Sequence, residues 1–136
     1  MSPYQYVVLR CVPRVDREEF VNIGVVLYCP DESFLDVLWD LRAAKLHALD
    51  PGLDLDLISD AMHGIDLLCR GEAHGDAATA VRATAYGTRE AAETQGTRFG
   101  MLKAPKSTVV QPGPVHGGMT ADANETLQGL LERLVR

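Results

Sequence analysis

Side chains that could do chemistry are concentrated in residues 103–120, KAPKSTVVQPGPVHGGMT. Lys106 and Ser107 are adjacent there, and Arg98 precedes them closely in the sequence. Cationic groups beside a hydroxyl can hold a phosphate or another anion through charge-assisted hydrogen bonds. A solvated loop edge accounts for the same residues, so both interpretations stay open.

Gln111 and His116 lie in the second part of this segment, QPGPVHGG. The residues before Pro112 and Pro114 are pushed toward extended conformations, and the glycines after His116 permit a tight reversal. The pattern therefore predicts a stiff arm followed by a hinge before the last helix. On such an arm His116 could serve as an acid, a base or a switch, or it could fasten the loop by hydrogen bonds.

Asn22 is a polar residue inside the apolar segment FVNIGVVLYC (20–29). Strand alternation puts it with Gly24 on the face opposite the main core, and a glycine within a strand often marks a bulge or a close backbone approach. This second face either carries a site, with Asn22 beside Tyr4, Tyr6 and Arg10, or it is solvated. The candidate ligand-binding set is Asn22, Arg98, Lys106, Ser107, Gln111 and His116, and no catalytic residue is assigned.

The histidines and cysteines lack the spacing of known sites. The four histidines form no HxH, HxxxH or HExxH pattern, so we expect no metal. There is no GxxxxGKS/T, GxGxxG or nucleophile elbow, so we expect no cofactor and leave enzymatic activity undecided. The three cysteines, an odd number without CxxC spacing, are typical of small buried side chains in a reducing cytoplasm.

The composition is that of an ordinary globular domain: 136 residues, of which 46% are hydrophobic and 24% charged. A net charge of −6 disfavours binding to nucleic acid or to an anionic membrane surface. We find no N-terminal signal and no apolar run of about 20 residues that could span a membrane. These features together predict a cytoplasmic protein.

The first forty residues predict β structure. Three alternating segments, joined by short polar connections, indicate an antiparallel meander with one strongly apolar face: YQYVVLRCV (4–12), FVNIGVVLYC (20–29) and FLDVLWD (34–40). In the second strand the alternation puts Val21, Ile23, Val25, Leu27 and Cys29 on that face. One or two further strands are expected from 98–111, in RFGMLKAP (98–105) and STVVQ (107–111).

Helices are predicted at about 41–49, 54–70 and 122–135 from apolar spacing and from capping residues. Asp40 is the expected N-cap of the first helix, and the second helix should cover the apolar face of the sheet. Asp122 and Glu125 resemble a capping box for the last helix. Segment 71–97 is either a mobile loop or contains a short alanine-rich helix. The expected architecture is a single α+β domain over residues 1–136.

Two motifs resemble those of a bacterial family, domain of unknown function 3037 (DUF3037). The first is the Glu-Phe-Val-Asn-aliphatic-Gly block over Glu19 to Gly24. The second comprises Arg98–Phe99, Pro105 to Ser107, and a Pro-Val-His-Gly block within Gln111 to Gly117. Relatives have tryptophan where Met101 stands and arginine where Lys106 stands.

The resemblance implies a protein partner, because some family members are encoded beside HipA-like kinases, as in a toxin–antitoxin-like module. We favour a small cytoplasmic interaction or regulatory module, because this small acidic domain has no recognisable catalytic constellation. The alternative is an enzyme or ligand-binding domain for a small molecule or nucleotide, which requires Arg98, Lys106, Ser107 and His116 to meet in one cleft, with Asn22 orienting the ligand. Homo-oligomers could form through an exposed edge strand.

Overall fold

The structure is a computed structural model, and it describes residues 1–71, 94–106 and 108–136. Ser107 and nearly all of the segment 71–97, for which a loop or an alanine-rich helix was expected, lie outside the described residues. Within the described ranges, no helix combines the length and the hydrophobicity that crossing a membrane requires.

The predicted α+β fold is confirmed. Short 3-10 turns at Val15–Arg17 and Pro30–Glu32 connect the first three strands. The strands are β1 (Ser2–Cys11), β2 (Val21–Cys29), β3 (Phe34–Trp39), β4 (Val110–Pro112) and β5 (His116–Thr120). The helices are α1 (Ala43–Leu49), α2 (Leu55–Arg70), α3 (Gln95–Lys103) and α4 (Ala123–Leu134).

All strand pairs in the sheet are antiparallel. The order is β3-β2-β1, and both β4 and β5 pair with the remaining side of β1. The predicted N-terminal meander is therefore present with β2 at its centre, and β1 lies between β2 and the two short strands β4 and β5. Because β4 and β5 follow each other along β1, together they form one interrupted edge of the sheet.

A β-bulge in β2 changes which side chains share a face. Leu9 is opposite Gly24 and Arg10 is opposite Asn22, so Ile23 is the extra residue on β2. The prediction that residues 21, 23, 25, 27 and 29 share one face is therefore wrong. The inference from Gly24 is confirmed, since an added Cβ there would lie 2.9 Å from the Leu38 carbonyl oxygen.

Both faces of the sheet carry a hydrophobic core. On one face, which we call the α2 face, buried side chains of the first three strands pack against α1, α2 and α3. The strand residues are Val7, Leu9, Cys11, Ile23, Val26, Leu35 and Val37, and the helix residues are Leu46, Ile58, Met62, Phe99 and Leu102. On the other, the α4 face, three residues of β2 pack against the last helix: Val25, Leu27 and Cys29 against Ala123, Leu127, Leu130 and Leu131. The expectation of a single apolar face is thus corrected, because β2 has buried residues on both of its sides.

Residues 98–103 belong to the helix α3, which corrects the prediction of a strand at 98–105. Thr94 caps α3 through a reciprocal capping box with Thr97, and its hydroxyl accepts from the Thr97 N–H at 3.0 Å. Phe99 and Leu102, three residues apart, enter the α2-face core. The capping residues precede the segment in which the strand was predicted, so the apolar pattern of 98–105 alone did not reveal the helix.

The strand expected at 107–111 is shorter and later than predicted, since β4 is Val110–Pro112. The hinge expected at the glycines after His116 is instead part of a strand, because His116–Thr120 pairs in register with Tyr6–Ser2 of β1. Glycine has poor strand propensity, so this pairing depends on the neighbouring strand and not on the local sequence.

The helix ends agree in part with the sequence. Asp122 caps α4 by accepting from the Glu125 N–H at 3.1 Å, as predicted. Asp40 does not cap α1, whose N-cap is Arg42. The Asp40 carboxylate instead accepts from the Arg42 N–H at 3.3 Å, and the helix begins later.

Candidate functional site

The structure divides the predicted site residues between the two faces of the sheet. Arg98 belongs to α3 and Lys106 follows it, so both lie on the α2 face. Asn22, Gln111 and His116 lie on the α4 face, where they pair across strands with side chains of β1. The five described candidates therefore do not meet in one cleft.

Lys106 closes the C-terminal end of α3. Its ammonium donates to the carbonyl oxygens of Met101 at 2.6 Å and Ala104 at 3.0 Å, which would otherwise lack partners at the helix end. Partial burial lowers the pKa of Lys106, since burial disfavours the charged form. These bonds give Lys106 a structural role that a compact ammonium fills well.

Arg98 lies against the end of α2. Gly71 ends that helix at a φ of 75°, and a Cβ there would be 3.4 Å from the Arg98 Cζ. Glycine suits this position for two reasons. It adopts the left-handed conformation without strain, and it lets the guanidinium plane approach closely. Arg98 and Lys106 therefore belong to the packing of α2 and α3.

Asn22 joins β2 to the last helix. Its side-chain amide donates to the Leu134 carbonyl oxygen at 3.1 Å, which satisfies one of the free carbonyls at the end of α4. The bulge makes this contact possible, because it turns Asn22 toward the α4 face while Ile23 enters the other core. Asn22 is half-buried, and this amide proton is not open to a ligand.

Arg10 is the centre of a row of polar side chains across three strands. It is opposite Gln111 on β4 and Asn22 on β2, so the three side chains lie on the α4 face. The Arg10 guanidinium stacks 4.0 Å above the centre of the Phe20 ring. An added Cβ at Gly113 would lie 2.6 Å from Arg10 Nη2, so a larger residue there would displace the guanidinium.

His116 belongs to an aromatic row beside Arg10. Its ring lies 5.4 Å from the ring of Tyr6, its cross-strand neighbour. The Tyr6 ring is in turn 6.2 Å from that of Tyr4. The Tyr4 hydroxyl lies over Gly118, where an added Cβ would be only 2.7 Å away.

These two rows form a surface that α4 leaves partly open. The helix packs on β2 and β3, while the α4-facing side chains of β1 remain half-buried. We call this surface the open strip and define it as Tyr4, Tyr6, Val8, Arg10, Phe20, Gln111 and His116. Beside it a cleft of about 320 Å³ is lined by Tyr4 and by residues of α4: Glu125, Thr126, Gly129, Leu130 and Arg133.

The open strip offers hydrogen-bond donors and aromatic faces. Its groups are a guanidinium, an imidazole, two phenols and an amide, and none of its residues carries a carboxylate. Among the described residues, no hydrogen bond or ion pair joins His116 to an acid that could orient its ring for proton transfer. This chemistry suits binding better than bond cleavage.

A second cleft lies at the opposite end of β1. Its volume is about 250 Å³, and its lining combines both charge signs: Pro13, Arg14, Arg17, Glu19, Leu49, Asp50 and Pro51. Arg14 pairs with Asp16 at 3.2 Å and Arg17 pairs with Glu19. Because these charges largely satisfy one another, this cleft is a weaker candidate than the open strip.

The sequence analysis named Gln111 and His116 as candidates and considered Arg10 as a neighbour of Asn22, but it left Arg10 and Phe20 out of the candidate set. The signal for Arg10 was its place on the same strand face as Tyr4 and Tyr6. Its partners come from β2 and β4, so only the pairing of the strands shows that the row exists.

The fold and the strip together define a small α+β domain with an open binding surface beside its last helix. The family model described as "Protein of unknown function (DUF3037)" matches residues 6–135, so the chain belongs to the DUF3037 family. No curated protein and no solved structure matches the chain.

Proposed function

We propose that this protein is an interaction module that binds an acidic segment of another protein on the open strip. The observation that carries the proposal is the half of the α4 face that the last helix covers only in part. There β1 presents Tyr4, Tyr6 and Arg10 half-buried, next to the exposed His116. A helix covers the other half of the same face, so a partner segment lying beside α4 would complete that layer.

The residue types of the strip support a protein partner. Tyrosine and arginine are enriched among the residues that dominate binding energy in protein interfaces. Arg10 stacks on the ring of Phe20, and this contact orients its guanidinium before a partner arrives. Such preorganisation lowers the entropy cost of binding.

The charges favour an acidic partner. Among the residues of the strip and of the cleft lining, the cationic groups are Arg10 and Arg133, and the one carboxylate is that of Glu125. The chain as a whole has a net charge of −6, so this surface differs from the average of the protein. A carboxylate is the group that a fixed guanidinium binds best, through paired N–H donors.

Catalysis is less well supported. The enzymatic alternative needed Arg98, Lys106 and His116 around one substrate, but the sheet separates the first two from the third. Lys106 already donates to two carbonyl oxygens of its own segment. We therefore favour binding over turnover.

The family resemblance suggests a HipA-like kinase as the first partner to test, and the cytoplasm as the place where they meet. The three cysteines are free and buried, which fits a reducing compartment. Co-expression of the protein with such a kinase should give a complex in size-exclusion chromatography if this suggestion is right. Separate elution of the two proteins would exclude the kinase while leaving other acidic partners possible.

The proposed surface can be tested with short random peptides displayed on phage and selected on the immobilised protein. We expect enrichment of sequences rich in Asp and Glu. Arg10→Gln should weaken the best peptide about 10-fold, the cost of one charge-assisted contact. Arg14→Gln is the matched control, since Arg14 is exposed, pairs with Asp16 and lies outside the strip.

Two outcomes would refute the proposal. One is a selection without any preference for acidic residues. The other is an acidic peptide whose affinity falls equally with Arg10→Gln and Arg14→Gln, because that would show a general response to charge. Thermal unfolding of both variants establishes that each is folded.

A further inference from the structure

The two edges of the sheet differ in how they are protected. At the β3 edge the Val37 N–H donates to the Asp36 carboxylate at 2.8 Å, so a charged side chain occupies that edge. The Gln95 side chain donates to the Ser33 carbonyl oxygen at 2.8 Å, just before β3 begins. Charged side chains and covering contacts of this kind are how proteins prevent edge strands from pairing with other chains.

At the β5 edge, the part of the chain that the structure describes provides no such protection. His-Gly-Gly-Met-Thr contains no Asp, Glu, Lys or Arg, and Met119 is 57% exposed. Within the described residues, no side chain bonds to the main chain of Gly117 or Met119. The exposed Val115, just before the strand, extends this uncharged edge.

The register shows which main-chain groups face outward. Gly113 N–H donates to the Val8 carbonyl and Val12 N–H donates to the Val109 carbonyl, so the even-numbered residues of β1 bond toward this edge. Tyr4 pairs with Gly118 and Tyr6 with His116. The N–H and C=O groups of Gly117 and Met119 therefore point away from β1, toward solvent.

We propose that β5 pairs with β5 of a second copy of this chain, antiparallel and centred on Gly118. In this register Gly117 is opposite Met119 of the partner copy and Met119 is opposite its Gly117. Each outward N–H then meets an outward C=O, and no main-chain group of either strand is left without a partner. The two sheets become one continuous sheet through a two-fold axis.

The two glycines suit this arrangement sterically. Centring the pair on Gly118 places two glycines opposite each other, and the Tyr4 hydroxyl already lies over that position on the α4 face. On the other face, each exposed Met119 side chain lies across from Gly117, which has no side chain to obstruct it. A flexible thioether fills such a space well.

This interface is separate from the binding of an acidic segment. It uses the outer edge of β5, whereas the proposed function uses the side chains of β1 and Arg10 on the α4 face. The pairing of one short strand buries little area, so a weak, concentration-dependent dimer is expected.

The test is sedimentation velocity over a series from low micromolar to millimolar protein, with Met119→Lys as the variant. We expect reversible dimers of the unaltered chain. The variant should lower the association constant at least about 10-fold, because it places two like charges across the two-fold axis. Leu57→Lys is the matched control. Leu57 is 60% exposed on α2, so this substitution adds the same charge away from the β5 edge.

Amide hydrogen exchange identifies the register. On dimerisation, the N–H groups of Gly117 and Met119 should gain protection, while that of Gly118, which already faces β1, should change little. A monomer at every concentration would overturn the proposal. So would a dimer that Met119→Lys and Leu57→Lys weaken equally, or one that leaves exchange at Gly117 and Met119 unchanged.

Discussion

The two faces of the sheet are covered to different extents. The α2 face is packed by three helices, and its large side chains, such as Phe99 and Met62, are almost fully buried. The α4 face is packed by one helix over β2 and β3, and the side chains of β1 remain half-buried. The α2 face therefore buries most of the apolar surface that stabilises the fold, while the open strip keeps accessible surface to which another molecule can bind.

The largest effect is expected from Phe99→Ala on the α2 face. Phe99 is 1% exposed and its ring packs against that of Tyr28. Its removal should cost about 3–5 kcal/mol in the free energy of unfolding, measured by urea denaturation. Phe20→Ala in the open strip is the control. Because Phe20 is 45% exposed, its substitution should lower the free energy of unfolding by less than about 1.5 kcal/mol. Equal losses would show that the strip is as structural as the core.

Two glycine substitutions compare how tightly the chain is packed next to the bulge and in the cleft beside the open strip. Gly24→Ala should destabilise by about 1–3 kcal/mol, because its Cβ would meet the Leu38 carbonyl, the Trp39 Cβ and the Met62 Cε. Gly129→Ala should stabilise by up to about 1 kcal/mol, since a Cβ there has no neighbour within 4 Å. Thermal unfolding of both variants measures this. A destabilised Gly129→Ala would mean that the cleft is more tightly packed than the structure indicates.

The attachment of α4 to β2 is tested by Asn22→Ala. The change removes the donor to the Leu134 carbonyl and should cost about 1 kcal/mol. Hydrogen exchange should increase most in the last turn of α4, whereas amides of α2 should keep their protection. If exchange rises equally in both helices, the two faces unfold as one unit, and their different coverage by helices does not affect local unfolding.

The smallest effect is expected at Asp40. The hydrogen bond from Arg136 holds the pKa of this carboxyl below 3.8, with further lowering from the Arg42 N–H. A carboxyl with a lowered pKa stabilises the fold at pH values above 3.8, and this contribution is lost as the pH falls through its folded pKa. Asp40→Asn should therefore slightly lower the Tm at neutral pH, and the difference from the unaltered chain should vanish in acid. A difference that persists in acid would assign the effect to packing.

Much of the fold is predictable because its signals are local. The alternation in β1 and β3, the helical spacing in α2 and the Asp122 cap of α4 all lie within single elements. The bulge at Ile23 is different, since one extra residue in β2 leaves the local pattern apolar and changes only which face each side chain meets. For this reason the second core was not foreseen.

The candidate site depends still more on distant pairing. His116 was recognised by residue type, but its place beside Tyr6 follows from a strand with two glycines that only β1 stabilises. Arg98 and Lys106 are close to His116 in sequence and yet lie across the sheet from it, because α3 folds as a helix onto the α2 face. No spacing rule within 98–116 could have revealed that separation.

The bond between Asn22 and Leu134 joins residues 112 positions apart and has a consequence for synthesis. At typical translation rates the ribosome needs on the order of 10 s to add the residues between them. During this interval Val25, Leu27 and Cys29 have no helix to cover them, although the strands that carry them have already been made. A nascent chain stalled before α4 would therefore expose an apolar sheet surface, and chaperones should bind it more strongly than the finished protein.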